Sequence, residues 1–420
     1  MGRPPPPARS EPARRRKRLA RRLGGLLLVA AVPLGLVEVL LRVVGPRIPA
    51  VDVLLYDPKV VNRYDRARTL EELLGMSVLG FVPRTRSLDF VLNSRSLKTI
   101  EYEEEKPPDT IRILAIGNSF TYSCGGVPHD RLWHARLQAA LQERTTARVE
   151  VLNFGVPAVG LEFERRLWHL EGSRLDADLV VVAFTVGGNF YTSLGAKLER
   201  TFSDRAAIAS YAYRFARNVY RLVAARPPER WQERKRAPRA PLAVGGVPAA
   251  EVVPDFEWSY DPEKPAMSEE KFLLSHQRNL RLCAGIRATA KFESVREPLL
   301  RFHDDVTSAG VEFLLFVIPT EIQSNPALHR RVAEAVDLPE RRNVVDAPQR
   351  FLTELCREGG IRLFDVLPAL QAAGPDAVLY GRRNSHWNVE GNALAAEALL
   401  EYLTTPPGPG RPSLLETIAR

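Results

Sequence analysis

Residues 111–123 read IRILAIGNSFTYS, and this stretch decides where the fold begins and where a ligand would meet it. The mostly apolar run Ile111–Gly117 is typical of a strand that is buried on both faces. The first hydroxyl after the strand belongs to Ser119. Ligands of open parallel sheets bind beyond the carboxyl ends of the strands, so Ser119 stands at a functional position. Taken alone, a serine after a strand is more often a turn residue or a helix cap.

Four further apolar runs of strand length follow, separated by segments with helical periodicity. The runs are VEVLNF (149–154), DLVVVAF (178–184), VEFLLFVIP (311–319) and IRLFDV (361–366). The predicted helices lie near 130–144, 161–170 and 389–403. Apolar strands that alternate with helices form a parallel sheet covered on both faces. The pattern therefore predicts a doubly wound, flavodoxin-like α/β fold, with a parallel five-stranded sheet in a three-layer α/β/α arrangement.

The N-terminus carries a basic tip followed by an apolar run. Residues 1–22 hold nine Lys and Arg against one Glu, which accounts for nearly all of the net charge of +9. The run LGGLLLVAAVPLGLVEVLL, residues 23–41, is interrupted only by Pro33 and Glu38. Its length is close to the roughly 20 residues of a membrane-spanning helix. We predict a single-pass transmembrane helix over 23–44, with the tip cytoplasmic and the main domain extracytoplasmic or periplasmic. A cleaved signal peptide is the alternative, although no A-x-A site follows.

The remaining composition disfavours a nucleic-acid or nucleotide protein. Beyond the tip the chain is nearly neutral, and it contains neither a Walker loop nor a G-x-G-x-x-G motif. Cys124, Cys283 and Cys356 are too widely scattered to indicate a metal set or a disulfide framework. We expect no metal and no cofactor.

The segments around the sheet pattern divide the chain further. Residues 45–109 are predicted to form a partly β extracytoplasmic stem, and residues 110–405 the main domain. An insertion at about 195–300 separates the third and fourth strands, and within it 226–267 is rich in Pro, Arg and Glu. A loop of that length is either disordered or a lid beside a site. The rest of the insertion is predicted to be helical, over 206–225 and 269–309. The tail 406–420 is predicted to be flexible.

His386 is the histidine best placed to meet Ser119. It lies in NSHWNVEGNALAAEAL, residues 384–399, just before the last predicted helix. A serine hydroxyl becomes a useful nucleophile only with a base within hydrogen-bond reach. A lone loop histidine beside a tryptophan is more often structural. The other six histidines lie in helices or connections, at positions 129, 134, 169, 276, 303 and 329.

Four blocks of sequence together resemble the SGNH hydrolase family, also called GDSL-type esterases. They are RILAIGNSFT (112–121), VLNFGVPAVG (151–160), DLVVVAFTVGGNF (178–190) and NSHWNVEGNALAAEAL (384–399). The chain is most similar to a membrane-anchored bacterial subgroup, through Glu38 and Arg42 at the end of the anchor and the stretch Asn93–Leu97 in the stem. The resemblance covers about residues 32–403.

The resemblance implies a catalytic role for each matched position. It makes Ser119 the nucleophile and His386 the general base. It also implies an oxyanion site formed by the backbone N–H groups of Ser119 and Gly155 and by the side-chain amide of Asn189. Fixed donors of this kind lower a barrier by about 3 kcal/mol each. The implied substrate is an acylated small molecule or a glycan, with O-acetyl groups of envelope glycans as the leading example. No protein partner is indicated.

The chain departs from the family pattern in three blocks. Asn118 replaces the aspartate of Gly-Asp-Ser in the first block. The third block has Asn189 followed by Phe190 instead of Asn-Asp, and an alternative alignment puts Gly188 at the oxyanion position. In the last block, Arg383 and Asn384 occupy the places where relatives carry an aspartate that orients the histidine.

The missing aspartate leaves two hypotheses open. In serine proteases the same acid-to-amide change lowers turnover by about 10⁴-fold, because the amide favours the wrong histidine tautomer. Under the first hypothesis the protein is an esterase or O-acyltransferase. It would use Ser119 and His386, with Asn384 in the place of the acid or with a distant carboxylate such as Asp365. Under the second it is a catalytically impaired pseudoenzyme that serves as a glycan-binding or scaffolding envelope protein.

Overall fold

The computed structural model describes most of the sheet domain and less of the N-terminal part. The described residues are 33–44, 48, 51, 68–75, 86–87, 90–124, 126–192, 210–224, 261, 263–336 and 345–419. The basic tip, the first part of the apolar run, most of the stem up to residue 89 and the insertion segment 226–260 lie outside them. The chain divides into two compact units, Met1–Val61 with Glu199–Leu242, and Asn62–Leu198 with Ala243–Arg420.

The second unit is built on five parallel strands. They are β1 Thr110–Gly117, β2 Arg148–Gly155, β3 Leu179–Thr185, β4 Glu312–Ile318 and β5 Arg362–Asp365. Their spatial order is β2-β1-β3-β4-β5, and each neighbouring pair is parallel. The predicted parallel five-stranded sheet is confirmed. In this flavodoxin-like order the winding reverses between β1 and β3, and ligands bind at that switch point.

Strands β1 and β3 are buried along their whole length because helices cover both faces of the sheet. Successive side chains of a strand point to opposite faces. Leu114 and Ile116 accordingly belong to one apolar core, whereas Ile113 and Ala115 belong to the other. Burial of each large aliphatic side chain stabilises the fold by about 1.5–3 kcal/mol.

The helices of this unit that follow β1 are labelled α1 to α12 in chain order, leaving out the first unit's helix Tyr211–Ala224. They are α1 Ser119–Tyr122, α2 Trp133–Gln142, α3 Leu161–Leu170, α4 Val186–Thr192, α5 Glu269–Cys283, α6 Thr289–Thr307, α7 Glu321–Ser324, α8 Pro326–Ala335, α9 Ala347–Gly359, α10 Leu367–Ala372, α11 Val389–Thr404 and α12 Leu414–Ile418. Helices α2 and α11 contribute Leu137 and Leu399 to the core on one face. Helices α3, α6 and α9 contribute Leu167, Leu299 and Leu352 to the core on the other.

The C-terminal tail is ordered, which corrects the prediction of a flexible segment after residue 406. Helix α12 begins with a capping box, in which the Ser413 hydroxyl accepts from the Glu416 N–H and the Glu416 carboxylate accepts from the Ser413 N–H. Leu414 and Ile418 are buried in the same core as α11. The capping box and the two apolar contacts hold this short helix on the domain.

The described part of the stem from residue 68 onward packs on the sheet domain through Leu73, Leu74 and Leu97. It contains the helix Leu70–Gly75 and two short antiparallel strands, Arg86–Ser87 and Phe90–Val91. The Asn93 side chain accepts from the Leu97 N–H at 2.9 Å and closes a tight turn. Leu97 is buried in the main core.

The described part of the first unit contains a helix over 33–43 and the helix Tyr211–Ala224. The Glu38 carboxylate accepts hydrogen bonds from the Ser210 hydroxyl and from the N–H groups of Tyr211 and Ala212. Within the described ranges, no helix combines the length and the apolar character needed to cross a membrane. The predicted span 23–44 begins outside those ranges.

Candidate active site

Ser119 is presented by the turn that joins β1 to α1. Asn118 caps this short helix, and its carbonyl accepts from the N–H groups of Thr121 and Tyr122 at 3.1 and 3.0 Å. A helix that starts directly at the end of a strand places its first residue at the rim of the sheet. Ser119 is half-buried there, at the carboxyl edge where the topology predicts a ligand.

His386 is held by a tight loop between α10 and α11. The loop is closed by a bridge between Tyr380 and Trp387 and by the Gly381 N–H, which donates to the His386 carbonyl at 2.9 Å. Arg383 and Ser385 both have left-handed backbone, with φ of 47° and 63°. Such conformations are unfavourable for residues other than glycine, so the surrounding packing fixes this loop.

The two side chains meet. His386 Nε2 lies 2.9 Å from Ser119 Oγ. On the other side of the ring, His386 Nδ1 lies 2.9 Å from Asn384 Oδ1 and 3.1 Å from the Asn384 carbonyl oxygen. Both of these oxygens are acceptors, so the ring proton resides on Nδ1 and the Nε2 lone pair faces the serine hydroxyl. Asn384 thus supports the tautomer that a general base requires.

The environment keeps the His386 ring neutral. Burial lowers the pKa of His386 to about 4, and the hydrogen bond from the ring to the Asn384 backbone offsets only part of this effect. The ring also packs against Phe120, with centroids 4.8 Å apart. An aspartate would stabilise the imidazolium that forms when the serine loses its proton, whereas the Asn384 amide has no charge. The Nε2 lone pair of His386 is therefore free of a proton at neutral pH, and the ring is weakly basic.

Asp365, the distant carboxylate that could replace the missing acid, does not contact His386 and instead bonds with the start of α10. Asp365 lies at the end of β5, and its Oδ1 accepts from the Leu367 N–H at 3.0 Å. Burial raises the pKa of Asp365 to about 6. In the described part of the chain, the partners of His386 Nδ1 both belong to Asn384.

The structure directs the N–H of Gly155 away from an oxyanion role. This group donates to Asn153 Oδ1 at 2.8 Å. A Cβ at position 155 would lie 2.4 Å from the Tyr122 nitrogen and 2.7 Å from the Thr121 carbonyl carbon. The glycine is needed because β2 and helix α1 approach each other closely, and its N–H bonds with Asn153 in place of the predicted oxyanion contact.

Asn189 is likewise corrected from an oxyanion donor to a buried bridge. Its Nδ2 donates to the Glu164 carboxyl group, 3.2 Å from Oε1. Its Oδ1 accepts from the Thr185 N–H at 2.8 Å and from Asn118 Nδ2 at 2.9 Å. The side chain is fully buried. These contacts hold the end of β3 against the end of β1.

Asn118 completes the same network. Its Nδ2 also donates to the Thr185 hydroxyl at 2.6 Å. An ionised aspartate at position 118 could not donate these bonds, so the amide fits the orientation that Asn189 adopts. Below the network, burial raises the pKa of Glu164 to about 8, an effect that the bond from Asn189 only partly offsets. Glu164 was not singled out from the sequence.

A cavity of about 180 Å³ opens beside the Ser119 hydroxyl. It is lined by Ser119, Phe120, Thr185, Gly187, Gly188, Ser275, His276, Asn279, Pro319, Thr320, Glu321, Ser385 and His386. Gly188 is in this lining and Asn189 is not, which fits the alternative alignment of the third block. The cavity is smaller than the roughly 300–1,000 Å³ of drug-sized ligand sites, so its volume suits a small ligand. Within the described residues, no group of three His, Cys, Asp or Glu side chains is arranged to hold a metal.

Comparisons with known proteins show only a distant likeness. No protein-family model and no curated protein matches the chain. Three solved structures illustrate the structural matches. One is a member of the lipolytic G-D-S-L family from Veillonella parvula, at 12% identity and a TM-score of 0.34, covering 70% of this chain and 98% of that chain. The second is a lipase/acylhydrolase from Enterococcus faecalis, at 13% identity and a TM-score of 0.34, covering 69% of this chain and 94% of that chain. The third is a catalytic variant of an acetylxylan esterase from Geobacillus stearothermophilus, at 10% identity and a TM-score of 0.35, covering 69% of this chain and 93% of that chain. At these scores the comparisons do not assign a function to the chain.

Proposed function

We propose that this protein is a serine ester hydrolase of the SGNH type, with Ser119 as the nucleophile and His386 as the general base. The observation that carries the proposal is the 2.9 Å contact between Ser119 Oγ and His386 Nε2, with Nδ1 held by two oxygens of Asn384. The contact joins two residues that are 267 positions apart in the sequence, at the edge of the sheet where ligands bind.

The reaction proceeds through an acyl-enzyme. Ser119 Oγ attacks the ester carbonyl carbon and its proton passes to His386 Nε2. The tetrahedral intermediate collapses, the bond to the alcohol oxygen breaks, and the proton on Nε2 passes to the leaving alcohol. Water then attacks the acyl-serine with His386 again as the base, which releases the acid and restores Ser119. If an acceptor hydroxyl attacks in place of water, the same chemistry transfers the acyl group.

We assign the oxyanion contact to backbone groups at Ser119 and Gly188. Both residues line the cavity, and each stands in the first turn of a helix, α1 or α4. The Ser119 N–H is the first of helix α1, and the first N–H groups of a helix have no carbonyl partner within it. Backbone donors of this kind stabilise the negative charge of a tetrahedral intermediate. This assignment replaces Gly155 and Asn189.

The proposed substrate is a short acyl ester, and an acetyl group fits the cavity volume best. The alcohol part is proposed to be a sugar of the cell envelope, with hydrolysis or O-acyl transfer as the outcome. The main domain would then act outside the cytoplasmic membrane.

Two features of the first unit support the proposed single-pass anchor over 23–44. The helix over 33–43 exposes large apolar side chains, including Leu36 at 67% and Val39 at 58%. Contiguous exposed apolar side chains indicate a contact with protein or membrane. Glu38, which interrupts the run, bonds with Arg42 at 2.6 Å and accepts from the first residues of Tyr211–Ala224. These contacts satisfy a carboxylate that lipid would otherwise exclude. Membrane fractionation, followed by protease treatment of intact cells, tests this placement.

Labelling of the full chain in detergent tests the proposed catalysis. A fluorophosphonate probe reacts with activated serines, so we expect covalent labelling and hydrolysis of p-nitrophenyl acetate. Both signals should disappear in Ser119→Ala and His386→Ala. The surface variant Ser308→Ala is the matched control and should retain both. Labelling that persists in Ser119→Ala, or a wild-type chain without any label, would overturn the proposal and favour a non-catalytic role.

A further inference from the structure

The cavity has a second polar wall that the proposed hydrolysis does not use. This wall comes from three elements: helix α5, the start of α7 and the loop before His386. Its members are Ser275, His276, Asn279, Thr320, Glu321 and Ser385.

His276 joins the three elements. Its side chain is fully buried, and Nε2 lies 3.3 Å from Ser385 Oγ and 3.5 Å from Glu321 Oε2. Ser385 adopts left-handed backbone with φ of 63°, which costs a serine conformational energy. In the loop that carries His386, the unfavourable backbone conformation is therefore at Ser385, whose hydroxyl contacts His276.

Three polar atoms of this wall lack a hydrogen-bond partner among the described residues. They are His276 Nδ1, Asn279 Oδ1 and Glu321 Oε2. Asn279 is 5% exposed and Glu321 is 9% exposed. A buried polar atom without a partner costs about 1–3 kcal/mol, so such atoms need an explanation. The two oxygens can only accept hydrogen bonds, so a ligand that satisfies them must carry hydroxyl or amine donors.

We propose that His276, Asn279 and Glu321 form a subsite for the alcohol part of the ester, and that it selects an alcohol with at least two further hydroxyl groups. The inference rests on the proposed ester hydrolase, because the acyl part must lie at Ser119. The hydroxyls of a polyol donate to Asn279 Oδ1 and Glu321 Oε2, while the Ser385 hydroxyl bonds with the His276 ring. The proton for the leaving alcohol still comes from His386 Nε2, so the subsite sets specificity and leaves the bond changes as described.

A pair of matched esters tests the subsite. Glycerol monoacetate and propyl acetate have the same acyl group and the same three-carbon alcohol chain, but only the first carries two further hydroxyls. The wild-type full chain should favour glycerol monoacetate by about 10-fold or more in kcat/KM, because an alcohol without donors leaves the buried oxygens unpaired. Glu321→Gln and His276→Gln should lower kcat/KM for glycerol monoacetate about 10-fold and change that for propyl acetate less than about threefold. His303→Gln is the control, since its ring packs on Phe313 at the start of β4.

The outcomes separate this inference from the proposed function. If the fluorophosphonate label at Ser119 is absent, the ester hydrolase proposal itself fails. If the label is present but the wild type shows no preference between the two esters, only the subsite is overturned. Equal losses on both esters in Glu321→Gln also contradict it, since they indicate a structural role. Glu321→Gln keeps the side-chain shape, so this variant decides the matter if His276→Gln does not fold.

Discussion

Restoring an aspartate at position 384 should strengthen the catalytic base. In Asn384→Asp the carboxylate would replace an amide oxygen that lies 2.9 Å from His386 Nδ1. With charge centres about 4 Å apart and an effective dielectric constant of about 20, the attraction between carboxylate and imidazolium is about 4 kcal/mol. That energy corresponds to about three pKa units. Burial of the new carboxylate offsets part of it, so we expect a net rise of about two units from the native pKa of about 4.

The sign of the effect on the pH profile follows from the role of His386 as a base. The base works only when it is neutral, so kcat/KM falls as the pH drops through its pKa. In the native protein kcat/KM should stay level down to about pH 5 and fall near pH 4. In Asn384→Asp the fall should begin about two units higher, because the carboxylate stabilises the charged ring. Near pH 8 the variant should be faster by about 100-fold, since the same carboxylate stabilises the imidazolium in the transition state.

The assay is the pH dependence of kcat/KM for ester hydrolysis by the full chain, followed by titration of the released acid. Gly408→Asp adds the same charge in a loop where a side chain meets no neighbouring atom, so its profile should match the native one. An acid limb that stays in place in a folded Asn384→Asp, or a rate that does not rise, would refute this account of the weak base.

Two further changes test the packing around the site. Gly391→Ala should lower the free energy of unfolding by about 1–3 kcal/mol, because its Cβ would lie 2.1 Å from the Leu379 carbonyl oxygen beneath the His386 loop. Chemical denaturation measures this loss, and Gly408→Ala, which meets no atom within 4 Å, should show almost none. Glu164→Gln should gain stability relative to the native protein as the pH rises from about 5 to 8. The pKa of Glu164 is about 8 in the folded protein, against 4.5 for an ordinary glutamate. Between these two values the folded protein holds a proton that unfolding releases. The free energy of unfolding of the native protein therefore falls by about 1.4 kcal/mol for each unit by which the pH rises in this range. Thermal melts of the native protein and of Glu164→Gln at several pH values measure this effect. A difference in stability between the two proteins that stays constant with pH would contradict the prediction, since it would mean that the Glu164 carboxyl is ionised in the folded protein.

The sheet was predictable because its signals are local. Each strand is a continuous apolar run. Such a run indicates a strand covered on both faces, and this inference does not depend on the residues that pack against it. The helix Leu161–Leu170 was predicted with the bounds that the structure shows. The ordered tail was missed although Ser413 and Glu416 have the spacing of a capping box.

The site was predictable only in part. Ser119 and His386 each follow a strand or precede a helix at the same sheet edge, so topology alone favours their meeting. The direction of a side-chain amide or a backbone N–H depends on neighbours that no local pattern reveals. The sequence motif therefore predicts an oxyanion donor at Asn189, whereas the Asn189 amide donates to Glu164. His276 belongs to an insertion helix, and its approach to Ser385 is a long-range contact without a motif.

The central claim is that Ser119 carries the acyl group during turnover. The most direct measurement is mass spectrometry of peptides from the full chain, quenched in acid during the hydrolysis of p-nitrophenyl acetate. We expect one acetyl group on the peptide that contains Ser119, and its accumulation should require His386. Acetylation at other residues only, or acetylation of Ser119 that is unchanged in His386→Ala, would contradict it.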